Sequence, residues 1–280
     1  MESLGNVERL ESLADVHAAG NVQEKTHQFL GGRTGIASEL ADHLSAYNAT
    51  DDLLPYFGDY RLAYTESYLQ LKNSVCLAFQ GYYSQALSTL RIVCELSLLQ
   101  ASLPEGFTAS PGEYNVVLPV GFGAGQQPTR KAETLEQWAI EGCRTPDWKS
   151  LLDGLMGTSN ATAFNLETAF SERFNDQMLR LHPYVHVRGY AKSATGLSNG
   201  NMLRFSESAL MLFIEEFKST AVLTVTVLLL SFLAQANVNP DAASGFIDRS
   251  DLSLAVAILP ARDAGLLLAI NENLRSDGSA

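Results

Sequence analysis

Cysteine is scarce: Cys76, Cys94 and Cys143 are the only three in a chain of 280 residues. An odd count at scattered positions excludes a disulfide framework. Cys76 and Cys94 fall inside apolar helical patterns, where a free thiol behaves as a small hydrophobe. The opening Met1-Glu2-Ser3-Leu4-Gly5 has neither the basic start nor the apolar run of a secretory signal. These features point to a reducing, cytoplasmic setting. Positive charge is also scarce, with 19 Lys and Arg against 31 Asp and Glu and a net charge of −12. That balance excludes nucleic-acid binding through the overall field, because phosphate affinity comes mainly from Lys and Arg. Any such contact must be local. Repeats and low-complexity tracts are absent, and strand signals reduce to one short candidate at Tyr114 to Leu118. Apolar residues make up 46% of the chain and charged residues 18%, enough apolar surface for a sizeable core and too much for disorder over most of the length.

One long apolar run raises the question of a membrane. No charge occurs from Ser219 to Pro240, and Ala221 to Ala234 is dense in Val and Leu. The run approaches the roughly 20 apolar residues that span a bilayer. Thr220, Thr224, Thr226, Ser231, Gln235 and Asn237 dilute it, and no basic cluster flanks it. It reads as a buried central helix, apolar on all sides, with no membrane partner.

Hydrophobic periodicity makes the chain all-α. Short helices are expected at 3–18 and 34–47, separated by Gly31-Gly32, with Thr34 as a cap. A long helix is expected from Asp59 to Phe79 and a second one to Ala101, with Gly81 marking either a break or a tight helix contact. Residues 102–130 hold four prolines and five glycines, which makes them an irregular Pro/Gly-rich insertion. Helices are expected again at 132–142, 147–155, 160–181 and 203–236, and a short one at 260–270, with Arg275 to Ala280 frayed. This gives an N-terminal helical segment over 1–50, a bundle of long antiparallel helices over 55–237, and a C-terminal tail over 238–280.

Two places carry chemistry. On the helix over 81–101, Ser84, Ser88, Arg91 and Glu95 are spaced four, three and four apart. At about 100° per residue they form a stripe about 60° wide, on which Arg91 and Glu95 can pair. The stripe is either a solvent-facing strip or a buried ion pair that lines a pocket or positions another catalytic group. The second place is Arg180-Leu181-His182-Pro183-Tyr184-Val185-His186-Val187-Arg188. From Glu172 to Lys192 there are four basic residues and two acidic ones, a locally basic segment in an acidic chain. A guanidinium can grip phosphate oxygens bidentately and offset transition-state charge. An imidazole can move protons near neutral pH. Structural histidines at a helix junction are the plain alternative.

His182 and His186 have the spacing of two zinc ligands on one helical turn, but Pro183 lies between them and no third ligand is supplied, so no metal site is expected. The run from Val116 to Gln127 contains GxGxG, not GxGxxG, and lacks a following Lys-Ser/Thr pair. It reads as a flexible loop with no cofactor.

The stretch Tyr83-Ser84-Gln85-Ala86-Leu87-Ser88-Thr89-Leu90-Arg91-Ile92-Val93-Cys94-Glu95, followed later by Arg180 to His186, resembles the HEPN superfamily of small helical bundles. Members carry an arginine, four to six residues, then a histidine; five residues separate Arg180 from His186. Tyr184-Val185-His186-Val187-Arg188-Gly189, then Ser193 and a long apolar helix, also resembles bacterial HEPN-like proteins. The resemblance covers roughly 58–236. It implies a metal-independent endoribonuclease of the toxin or phage-defence type, working as a homodimer with RNA as substrate and restrained by a protein partner or antitoxin. Arg180 and His186 are the residues carried over, with Arg91, Glu95 and Arg188 as supporting candidates. Leu181 stands where active members often have a polar residue, and Pro183 inside the motif is unusual. Six residues put Arg180 and His186 about 120° apart on an unbroken helix. They converge only through a break at Pro183 or across a two-fold interface. The alternative function is a non-catalytic bundle that mediates protein–protein interaction.

Overall fold

Every regular element of the computed structural model, which describes residues 16–51, 62–102, 147–186, 197, 204–238 and 250–278, is helical. The fold is all-α, as periodicity indicates. Among the described residues there are ten α-helices: α1 (Val16–Gly31), α2 (Thr34–Ala49), α3 (Leu62–Phe79), α4 (Tyr83–Ser102), α5 (Trp148–Met156), α6 (Ser159–Thr168), α7 (Phe170–Val185), α8 (Glu207–Val238), α9 (Ser250–Ala257) and α10 (Ala261–Gly278). The insertion over 102–130 beyond its first residue, the strand candidate at 114–118, the helix expected at 132–142, Cys143 and Arg188 lie outside the described residues.

The chain divides into two compact units. One comprises Met1–Leu44, Leu69–Val93 and Asn175–Ala221, the other Ser45–Tyr68, Cys94–Phe174 and Val222–Ala280. In the first unit, Gly81 breaks the helix. Its φ of 87° lies in the left-handed region, which costs an L side chain about 1–2 kcal/mol and a glycine little. The Tyr82 N–H donates to the Leu77 carbonyl at 2.8 Å and the Gly81 N–H to that of Ala78 at 3.0 Å. These two bonds close a Schellman turn and reverse the chain into α4. α8 starts where Ser206 caps it: the Ser206 hydroxyl accepts from the Ala209 N–H at 3.3 Å, while the Ser206 N–H donates to the Tyr83 hydroxyl at 3.2 Å. The first described helix begins at Val16 and packs within this unit; the remainder of the helix expected at 3–18 lies outside the described residues. Buried Thr26 donates to the Val22 and Phe79 carbonyls, and Arg33 pairs with Glu207 at 3.0 Å.

In the second unit Tyr47 is fully buried and lies parallel to the rings of Tyr64 and Tyr68, with centroids 5.5 and 5.9 Å away. Its hydroxyl meets the Ser67 Oγ at 2.7 Å and the Ser97 Oγ at 3.0 Å. Burial pushes the Tyr47 phenol up to about 12, against the opposing pull of those two bonds. The single helix expected over 160–181 is two, α6 and α7. Ala169 adopts φ 51°, and the Asn165 side chain accepts from the Ser171 N–H at 2.7 Å, capping the new helix. No glycine or proline marks the break. Buried Phe164, Phe170 and Phe174 interlock across it with centroids 5.9 and 6.0 Å apart, so packing favours the turn that local propensity does not. Among the described residues the tail holds two helices where one short one is expected, and α10 continues to Gly278. Asp263 of α10, almost fully buried, accepts from Arg173 at 2.7 Å.

The span Glu207–Ala234 of α8 is long and apolar enough to cross a membrane by length and composition, and 78% of its most apolar window is buried. That burial suits the core helix of a soluble protein. Two of its buried hydroxyls are satisfied internally: Thr226 donates to the Val222 carbonyl at 2.8 Å and Ser231 to that of Ala101 at 2.9 Å.

Candidate functional site

α7 carries the candidate chemistry, and its sequence fixes which side chains face out. Phe174, Gln177, Met178, Leu181 and Tyr184 are buried, whereas Asp176, Leu179, Arg180 and His186 are exposed. Arg180 sits at one edge of the exposed face, its side chain 49% exposed. Its Nε donates to both Glu216 carboxylate oxygens of α8, at 3.2 and 3.3 Å. Its Nη2 donates to the Gln177 Oε1 and, at 3.5 Å, to the Ser219 Oγ. Gln177 is fully buried and ties this cluster together. Its amide donates to the Glu216 Oε2 at 2.9 Å and the Thr220 Oγ1 at 3.0 Å, and its Oε1 also accepts from the Ser219 hydroxyl at 2.8 Å. The Arg180 guanidinium is therefore directed by fixed partners and partly neutralised by Glu216.

The two histidines occupy the other edge. Arg91 of α4, half-buried, donates through Nη1 to the His182 Nδ1. A guanidinium has no acceptor, so that nitrogen of His182 accepts. The His182 and His186 rings lie 4.5 Å apart at 59°. His186 follows the last residue of α7 and is exposed, and its N–H reaches back to the His182 carbonyl at 3.4 Å. Along α4, Ser84 is buried, while Ser88, Arg91 and Glu95 are half-buried. The Ser88 hydroxyl bonds back to the Gln85 carbonyl at 2.8 Å. The stripe is thus the half-buried edge of α4, and Arg91 engages a histidine through it.

α7 runs without interruption past Pro183 to Val185. Proline removes one backbone donor, and in a last turn the carbonyls it deprives are among those already short of partners. The break that would turn Arg180 toward His186 in one chain is therefore absent, and the two remain about 120° apart around the helix axis. Among the described residues, Arg91, His182 and His186 come together, while Arg180 is drawn to Glu216. No group of three or more His, Cys, Asp or Glu side chains that could hold a metal gathers among the described residues. Sequence reasoning missed Gln177, Glu216 and Ser219 as the holders of Arg180, and it assigned Arg91 no histidine. Only Gln177, three residues before Arg180, left a signal. In the second unit, Leu229, Phe232, Leu233, Val256, Leu267, Leu268 and Asn271 line a recess of about 10 Å³, room for about one water.

No protein-family model, curated protein or solved structure matches this chain.

Proposed function

We propose that this chain is a cytoplasmic, HEPN-like, metal-independent endoribonuclease that acts as a homodimer, with His186 moving protons and Arg180 holding the scissile phosphate. One observation carries the reading: a single helix bears an exposed guanidinium directed by Gln177, Glu216 and Ser219 and, six residues on, an exposed imidazole backed by a second ring. The 2′-hydroxyl of RNA attacks the adjacent phosphorus, and the bond to the 5′-oxygen of the next nucleotide breaks. His186 takes the 2′ proton, the leaving 5′-oxygen is protonated by His186 or water, and Arg180 offsets the charge on the phosphorane. The products are a 2′,3′-cyclic phosphate and a 5′-hydroxyl. The required 2′-hydroxyl restricts cleavage to RNA. Because six residues of helical spacing put the two positions about 120° apart, a complete site combines Arg180 of one copy with His186 of another. In the toxin or phage-defence setting, a partner protein or antitoxin restrains the activity.

The test is incubation of the purified protein with total RNA and tRNA in EDTA, beside a His186→Ala variant shown to fold. Cleavage by the wild type alone, leaving cyclic-phosphate ends, is the expected result. Equal cleavage by both overturns the assignment of His186. Intact RNA in both favours the second reading, a non-catalytic bundle that binds a protein partner. That reading draws on exposed Leu179 and Val185, 58% and 42% accessible on α7, and on the neutralisation of Arg180 by Glu216.

A further inference from the structure

We infer that Arg91 locks His182 as a neutral imidazole protonated on Nε2, and that His182 in this form positions His186 and leaves it the single titrating ring of the pair. The two ring centroids lie 4.5 Å apart with their planes tilted by 59°, close enough for a charge on one to oppose a charge on the other. Two imidazoles at that separation, each with an ordinary affinity near pH 6.5, would compete for one proton and titrate as a coupled pair. The Arg91 contact removes the competition. Its N–H donates to the His182 Nδ1, so a proton can sit on that nitrogen only if the contact breaks. A cation beside the ring also disfavours a second positive charge there.

Three consequences follow for His186. Its neighbour carries no charge, so no second proton on His182 opposes proton transfer at His186. The His182 ring, fixed by Arg91 on α4, gives His186 a rigid surface at the end of α7, where the backbone otherwise frays. The proton that His186 exchanges goes to substrate or water, not to its neighbour. The charged and titratable residues on the two helices are Tyr83, Arg91, Cys94 and Glu95 on α4, and Glu172, Arg173, Asp176, Arg180, His182 and Tyr184 on α7, with His186 directly after it. Arg91 and His182 are positioning residues here, because they act through His186.

The role in catalysis rests on the ribonuclease reading, but the protonation state does not, which keeps the two separable. The experiment is ¹⁵N NMR of the full-length wild-type protein labelled at histidine and titrated from about pH 5 to 8. His182→Gln assigns the His182 signals among the five histidines. The His182 Nδ1 is expected to resonate as an unprotonated nitrogen and its Nε2 as a protonated one across the range in which His186 takes up its proton. In Arg91→Met, His182 is expected to bind its proton about tenfold more tightly and to titrate together with His186. A proton on the His182 Nδ1 in the wild type, or two rings titrating alike there, overturns the inference whether or not the variants fold. Intact RNA with His182 neutral removes the ribonuclease reading alone. Cleaved RNA with His182 titrating removes this inference alone.

Discussion

Replacing Gln177 tests the view that a buried amide directs Arg180. Gln177→Leu conserves bulk but removes donors to Glu216 and Thr220 and the acceptor shared by Ser219 and Arg180. Lost hydrogen bonds to charged partners are each worth about 1.5–3 kcal/mol and those to hydroxyls about 1 kcal/mol. Arg180 is half-exposed and recovers part of this from water, and burying leucine in place of an amide returns about 1–2 kcal/mol. The net expectation is about 3 kcal/mol of destabilisation, or roughly 6–12 °C in Tm for a chain of this size. Gln177→Glu should be worse near neutral pH, because it buries a carboxyl against Glu216. Its folded proton affinity then lies above the unfolded value of about 4.3. The penalty is therefore absent below about pH 4 and grows as pH rises through the folded value. Urea unfolding followed by circular dichroism at pH 4 and 7 measures both variants. If Gln177→Leu lies within 0.5 kcal/mol of wild type, or the Gln177→Glu penalty is the same at both pH values, the proposed role of the amide is wrong.

Further expectations concern the second unit. The Tyr47 phenol, raised by burial to about 12 from the usual 10, contributes stability that is fully present below pH 10 and is lost as pH rises toward 12, on the order of 3 kcal/mol in all. Tyr47→Phe should flatten that alkaline slope in unfolding measurements across the range. Asp263→Ala removes the almost fully buried partner of Arg173, whose side chain is 35% exposed and recovers part of the loss from water, and should lower stability by about 1–3 kcal/mol, whereas Arg173→Met with Asp263→Leu should recover most of the loss; thermal melts of the three proteins decide. Ala169→Gly relieves a left-handed alanine at φ 51° and should raise stability by about 0.5 kcal/mol, readable as a shifted urea midpoint.

The features written into local sequence were legible. Gly81, between two apolar periodic stretches, stood out as either a break or a tight helix contact and is the turn between α3 and α4, and the uncharged run after Ser219 marked the buried part of α8. Where the structure departed from the pattern, tertiary packing had overridden it. The break at Ala169 follows from the contacts of Phe164, Phe170 and Phe174, not from any residue that disfavours helix. Conversely, Pro183 suggested an interruption, but it falls in the last turn of α7, where one missing donor is tolerated. The site followed the same division. Its reactive side chains were visible by type on α7, but their partners were not. Glu216 stands 36 residues from Arg180, and Arg91 stands 91 from His182. Neither pairing leaves a helical spacing to read.

The central claim is that Arg180 and His186 act together across two copies of the chain. The most direct measurement mixes two inactive variants, Arg180→Ala and His186→Ala, under conditions that exchange subunits, and follows RNA cleavage in EDTA. A site built across the two-fold unites both native residues at one of the two sites of each mixed dimer. Mixing should then restore about a quarter of wild-type activity, because about half the dimers are mixed and each holds one complete site. No restoration by proteins shown to exchange subunits would contradict the account.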